Sequence, residues 1–139
     1  MLDLNKYDIG HWSTSVEQEN DLRILIVESH PDLLTLYTEF LGMHEIDVVV
    51  TSEANECLSL VKANDFDIII LDTHLSGNME PSDLAKEIYR IKTTQRIVLT
   101  TTNPLYRTSN AIDYFRINKE DILVKPFMLS SLLEVIKRK

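Results

Sequence analysis

The stretch FDIIILDTHL, Phe66 to Leu75, decides the fold. Ile68, Ile69, Ile70 and Leu71 form an unbroken aliphatic, mostly β-branched run, the pattern of a strand buried on both faces. Asp72 follows at once, although an unpaired carboxylate is costly to bury. The same juxtaposition occurs upstream, where Ile24, Leu25, Ile26 and Val27 run into Glu28. Two core strands, each ending in an acid, call for an architecture that gathers strand ends where charge is tolerated.

Outward from these runs, further short apolar segments appear at Val48 to Val50, Ile97 to Leu99 and Ile122 to Val124. Helical spacing lies between them. Leu33, Leu34, Tyr37 and Leu41 fit one stripe, opened by Pro31 at a first-turn position. Ala54, Leu58 and Val61 fit a second, and Leu84, Ile88 and Ile91 a third, with Ser82 expected as its N-cap. Leu105 to Ile117 make a less regular fourth, and Leu129, Leu132, Leu133 and Ile136 a fifth. Strand–helix alternation repeated in this way predicts an α/β domain, a parallel sheet with helices on both faces. Strands are expected near 23–27, 46–50, 67–71, 96–100 and 121–124.

The domain is expected to run from residue 22 to 139, with residues 1–21 as an extension outside the core. The extension holds a polar stretch from Ser13 to Asn20 and scattered apolar residues. Of these, Tyr7, Ile9 and Trp12 are candidates either to dock on the domain or to remain a mobile tail. Composition narrows the function. A formal net charge of −8 argues against direct nucleic-acid binding, which needs a basic patch. The basic cluster Lys137-Arg138-Lys139 suits a helix C-terminus better than a ligand. No apolar run approaches the roughly 18 residues of a membrane span, so no membrane partner is expected. The start, MLDLNKYDIGHW, lacks the pattern of a signal peptide. Cys57 is the sole cysteine, among core-facing residues, and a reducing cytoplasm is the simplest setting.

In a parallel sheet all strand C-termini share one edge, and ligands bind there, where the strand order reverses. Glu28, Asp72, Thr100 and Lys125 each follow a strand and therefore gather on that rim. The acids are expected to escape core burial there, within reach of water, a cation or an ammonium. Such a set can hold Mg²⁺, which takes one or two carboxylates, waters and a phosphate oxygen. A carboxylate can also attack a phosphoryl group, with lysine and a hydroxyl stabilising its oxygens. The other reading is an acidic rim with the lysine present for charge balance, and spacing alone leaves both open.

The order and separation of RILIVE with Glu28, FDIIILD with Asp72, IVLTT with Thr100, and ILVKPF with Lys125 and Pro126 narrow the choice. Across the chain from Leu22 to Lys139 this pattern resembles the response-regulator receiver domain of two-component signalling. The resemblance implies a flavodoxin-like (βα)₅ doubly wound sheet of order 2-1-3-4-5 and a cis Lys125–Pro126 bond. It implies a signalling module rather than an enzyme, with Asp72 as phosphoacceptor for a histidine kinase or phosphotransfer protein. Mg²⁺ would be held by Glu28, Asp72 and the backbone carbonyl of His74. Lys125 would contact the phosphoryl group, and Thr100 would turn toward it. Signalling would then proceed by phosphorylation-dependent binding of a downstream protein. Because the chain ends after the fifth helix, a stand-alone receiver is expected.

The sequence also departs from the family pattern. Glu28 is followed by Ser29 where a second acid, the direct metal ligand, is usual. Ser76 stands in place of a proline after the phosphoacceptor, and Ile122 in place of an aromatic switch residue. The segment from Thr100 to Lys125 is a few residues longer than usual. Loss of the second acid raises an alternative: a pseudo-receiver with the same fold and binding face but no productive phosphorylation. Weak Mg²⁺ binding without phosphate is expected in either case. A small phosphatase is disfavoured by the lack of a Gly-rich phosphate loop and of a second acid in DTHL. Ser29 reads as a neutral spacer or capping group, and the His30 and His74 side chains as loop residues rather than ligands.

Overall fold

Five strands, β1 (Arg23–Val27), β2 (Asp47–Thr51), β3 (Ile68–Asp72), β4 (Arg96–Thr101) and β5 (Ile122–Val124), pair in parallel in the order β2-β1-β3-β4-β5. The computed structural model describes residues 22–138 apart from 78, 109, 111, 112 and 114. The expected extension, residues 1–21, lies outside the described residues. Strand positions agree with the expectation to within a residue or so, but β3 includes Asp72 instead of ending before it.

Strand alternation divides the core into two layers. Ile24, Ile26, Ile68, Ile70, Val98 and Leu123 point to one face and pack with α1 (Pro31–Met43) and α4 (Leu129–Lys137). Leu25, Val27, Ile69, Leu71, Ile97, Leu99 and Ile122 point to the other, against α2 (Ala54–Ala63) and α3 (Pro81–Ile91). Both faces of β1 and β3 are therefore apolar, which is why their sequences run without alternation. Ile122 is 2% exposed within this core, and Cys57 is fully buried, as its stripe predicts.

Local chemistry sets the helix starts. His30 caps α1, its Nδ1 accepting from the Asp32 N–H at 3.2 Å, while Pro31 occupies the first helical position. The third helix begins earlier than Ser82 suggests. Pro81 takes its first turn and Glu80 is the N-cap, because the proline ring presets helical φ. After β4 the expected fourth helix starts instead as a 3₁₀ turn, Pro104–Arg107, capped by Asn103. Helical positions follow at Asn110, Asp113 and Phe115. At the sheet's N-terminal edge Asp121 accepts from Arg96 at 2.8 Å and from Arg138 at 2.7 Å. These bonds tie the end of α4 to the sheet.

Candidate functional site

Strand order reverses between β1 and β3, since the chain leaves β1 for β2 on one side and crosses back to β3 on the other. Glu28 and Asp72 stand at the C-terminal ends of these two strands. Thr100 is the register partner of Asp72, so both side chains leave the same face of the sheet. Lys125 follows β5, its N–H donating to the Thr101 carbonyl at 2.6 Å, and its bond to Pro126 is cis. The four strand-end residues identified from the sequence thus meet at one rim.

Their burial differs from the expectation. Glu28 is 2% and Asp72 3% exposed, so the acids do not escape into solvent. What compensates them is Lys125, whose Nζ donates to Glu28 Oε1 at 2.8 Å and lies 3.4 Å from Asp72 Oδ1. The second contact is an ion pair without hydrogen-bond alignment, and Asp72 Oδ1 accepts no hydrogen bond from any described residue. Glu28 is fully engaged, because its Oε2 also accepts from the His30 N–H at 3.1 Å. Of the two acids, only Asp72 retains an uncommitted buried oxygen.

The first residue after Glu28 takes a role that its type alone did not assign. Ser29 Oγ donates to the His74 carbonyl at 3.2 Å, placing the hydroxyl beside the oxygen named as a metal ligand. Tyr37 was legible only as a core residue in the α1 stripe. In the structure it is 3% exposed, and burial, reinforced by the negative charges of Glu28 and Asp72, pushes its phenol well above the usual range. Thr101 was also missed. Its side chain faces away from Asp72, accepting from Thr73 Oγ1 at 2.8 Å and from the Asn103 N–H at 3.0 Å. The only sequence signal was the threonine run from Thr100 to Thr102, whose members must alternate faces.

Chemically, the rim offers a carboxylate oxygen beside an ammonium, with both acids nearly buried. The oxygen donors suit a hard cation: Asp72 Oδ1 is orphaned, and the Glu28 carboxylate and His74 carbonyl lie nearby in the fold. No group of three His, Cys, Asp or Glu side chains that could hold a metal occurs among the described residues. The set therefore fits Mg²⁺ only as a partial shell, to be completed by water and a phosphate oxygen.

Comparison with known proteins agrees with this fold. The family described as the response regulator receiver domain matches residues 24–137. The response regulator ArlR of Staphylococcus haemolyticus is 27% identical over 114 residues, covering 82% of this chain and 50% of that protein. The transcriptional regulatory protein CutR of Streptomyces coelicolor is 24% identical over 116 residues, covering 84% and 52%. The chain thus spans about half the length of these curated relatives. Among solved structures, the response regulator TrrA of Thermotoga maritima, in complex with Mg²⁺-BeF, superposes with a TM-score of 0.72. It is 26% identical, with 84% of this chain and 96% of that one covered. A CheY-like receiver domain protein of Methanospirillum hungatei, at 24% identity and a TM-score of 0.71, shares the fold over 84% of this chain and 90% of its own.

Proposed function

The chain belongs to the response-regulator receiver family, and on that premise we propose that Asp72 accepts a phosphoryl group from a histidine kinase or phosphotransfer protein. The observation that carries this reading is the buried Asp72 Oδ1, without a hydrogen bond and 3.4 Å from Lys125 Nζ. A carboxylate oxygen of Asp72 attacks phosphorus, forming an acyl phosphate as the N–P bond to the donor imidazole breaks. Lys125 neutralises charge on the phosphoryl oxygens, moving its hydrogen bond from Glu28 toward them. Thr100, on the same face as Asp72, supplies a hydroxyl to the phosphoryl group. Glu28, Asp72 and the His74 carbonyl would hold Mg²⁺, which when bound offsets the charge shared by the carboxylates and the phosphoryl oxygens. The phosphorylated rim then changes affinity for a downstream protein, and the chain acts as a cytoplasmic signalling module, not an enzyme. Among the described residues no helix is long and apolar enough to cross a membrane.

One observation favours the pseudo-receiver alternative. Ser29 holds the His74 carbonyl and Lys125 holds Glu28, so both helper oxygens are already engaged. Treatment with a small phosphodonor and Mg²⁺, followed by intact mass, separates the two. A mass gain of one phosphoryl group, absent in Asp72→Asn, supports the receiver. No adduct under those conditions overturns it in favour of the pseudo-receiver, and catalytic consumption of the donor would indicate an enzyme.

A further inference from the structure

We propose that the N-terminal segment of this same chain, through Tyr7, Ile9 and Trp12, docks in an apolar groove between α1 and the start of α4. The groove encloses about 490 Å³ and is walled by Leu33, Leu36, Tyr37, Phe127 and Leu129, with Lys125 at its end. Tyr37 and Phe127 stack at its base with ring centroids 6.0 Å apart. Leu36 is 44% exposed although it lies on this apolar wall, so part of the wall is uncovered.

Three facts single out the occupant. The first is tether geometry. Leu22, where the described chain begins, packs on the same core layer as Leu33, Phe127 and Leu129, so the attachment point of the segment lies on the groove's own side of the sheet. Trp12 precedes Leu22 by ten residues, a reach of up to about 33 Å when extended. Crossing the sheet alongside the five residues of β1 takes about 17 Å. The second is apolar content: Tyr7, Ile9 and Trp12 fall within six residues, and Trp12 is the only tryptophan. The third is charge. Residues 1–21 carry five acids, Asp3, Asp8, Glu17, Glu19 and Asp21, against one base, Lys6. A second groove, about 840 Å³ between α2 and α3, is lined by Glu53, Asp83 and Glu87 and repels such a segment. The α1–α4 groove has no acid in its lining.

Docking in this groove requires no phosphoryl transfer. Its test is therefore independent of the phosphoacceptor reading. A tether of about ten residues gives an effective concentration on the order of a millimolar. An intrinsic affinity of similar size then keeps the segment docked about half the time, and acrylamide quenching of Trp12 falls roughly twofold relative to a free segment. The experiment measures Trp12 emission and quenching in the full chain, in Leu36→Glu and in Ile9→Asp. Leu36→Glu alters an already exposed position, and Ile9→Asp lies outside the described residues, so a folding defect in one leaves the other informative. The expected result is blue-shifted, protected emission in the full chain, with quenching restored to the level of the urea-unfolded protein in both variants. Emission that is already fully quenchable in the full chain overturns the proposal. Protection that survives both variants does so too. Protection that grows with protein concentration would assign the groove to a second copy and equally overturn it.

Discussion

Replacing Ser29 with aspartate should separate two quantities that usually move together, ligand affinity and stability. In the structure Ser29 Oγ donates to the His74 carbonyl at 3.2 Å. An aspartate there loses that donor and sets a carboxylate against a carbonyl oxygen, with the buried acids Glu28 and Asp72 in the same rim. Losing one hydrogen bond costs about 1 kcal/mol, and the added like charge raises the total to about 1–2 kcal/mol of stability without metal. Mg²⁺ reverses the sign. A carboxylate at a ligand position should tighten binding at least about tenfold, since disturbing even outer-shell partners costs about 10–100-fold. At saturating Mg²⁺ the variant should regain what it lost, because a ligand that binds only the folded state stabilises it by mass action. Urea melts over a Mg²⁺ titration measure both effects on one sample, and phosphorylation of Asp72 by a small donor should become faster in parallel. An unchanged Mg²⁺ affinity in Ser29→Asp would refute the reasoning, because Ser29 would then stand outside the metal position.

Lys125→Met should lower stability by about 3 kcal/mol in urea, as it strips the cation from a buried pair; Glu28→Gln in the same background should recover part of the loss. A Lys125→Met melt within error of the parent would show that the rim is solvated. Ile122, packed at 2% exposure, should keep its rotamer in crystals with and without a phosphate mimic, and Ile122→Ala should cost about 2–5 kcal/mol. A flip of Ile122 that tracks Thr100 would contradict this. Burial pushes the Cys57 thiol up to about 12, against about 8.5 in an unfolded chain. The folded state therefore binds this proton more tightly. The resulting stability is complete below the unfolded value and is lost as pH rises toward the folded one. Near neutral pH a thiol reagent should modify Cys57 only as fast as the protein unfolds, and rapid native-state labelling would count against its burial.

The sheet and the strand-end residues that gather at its rim were legible in the chain because they depend on local chemistry. Unbroken runs such as Ile68 to Leu71 occur where both faces of a strand are covered, and parallel connection places every strand end on one edge. Those two rules are enough to group Glu28, Asp72, Thr100 and Lys125 from the sequence alone. The helix starts were read less well. At α3 a proline at the first position outweighed a favourable serine one residue later, and after β4 a 3₁₀ turn interrupts the expected helix.

What only the tertiary structure decided was how the rim is neutralised. Glu28 and Lys125 lie 97 residues apart yet meet at 2.8 Å, and no spacing rule predicts whether a strand-end acid faces water or a distant ammonium. Burial of both acids, the unpartnered buried Oδ1 of Asp72 and the hold of Ser29 on the His74 carbonyl all depend on how these loops meet. Periodicity encodes which face of an element is apolar, whereas the partner of a polar group at a strand end depends on how separate loops close over the sheet.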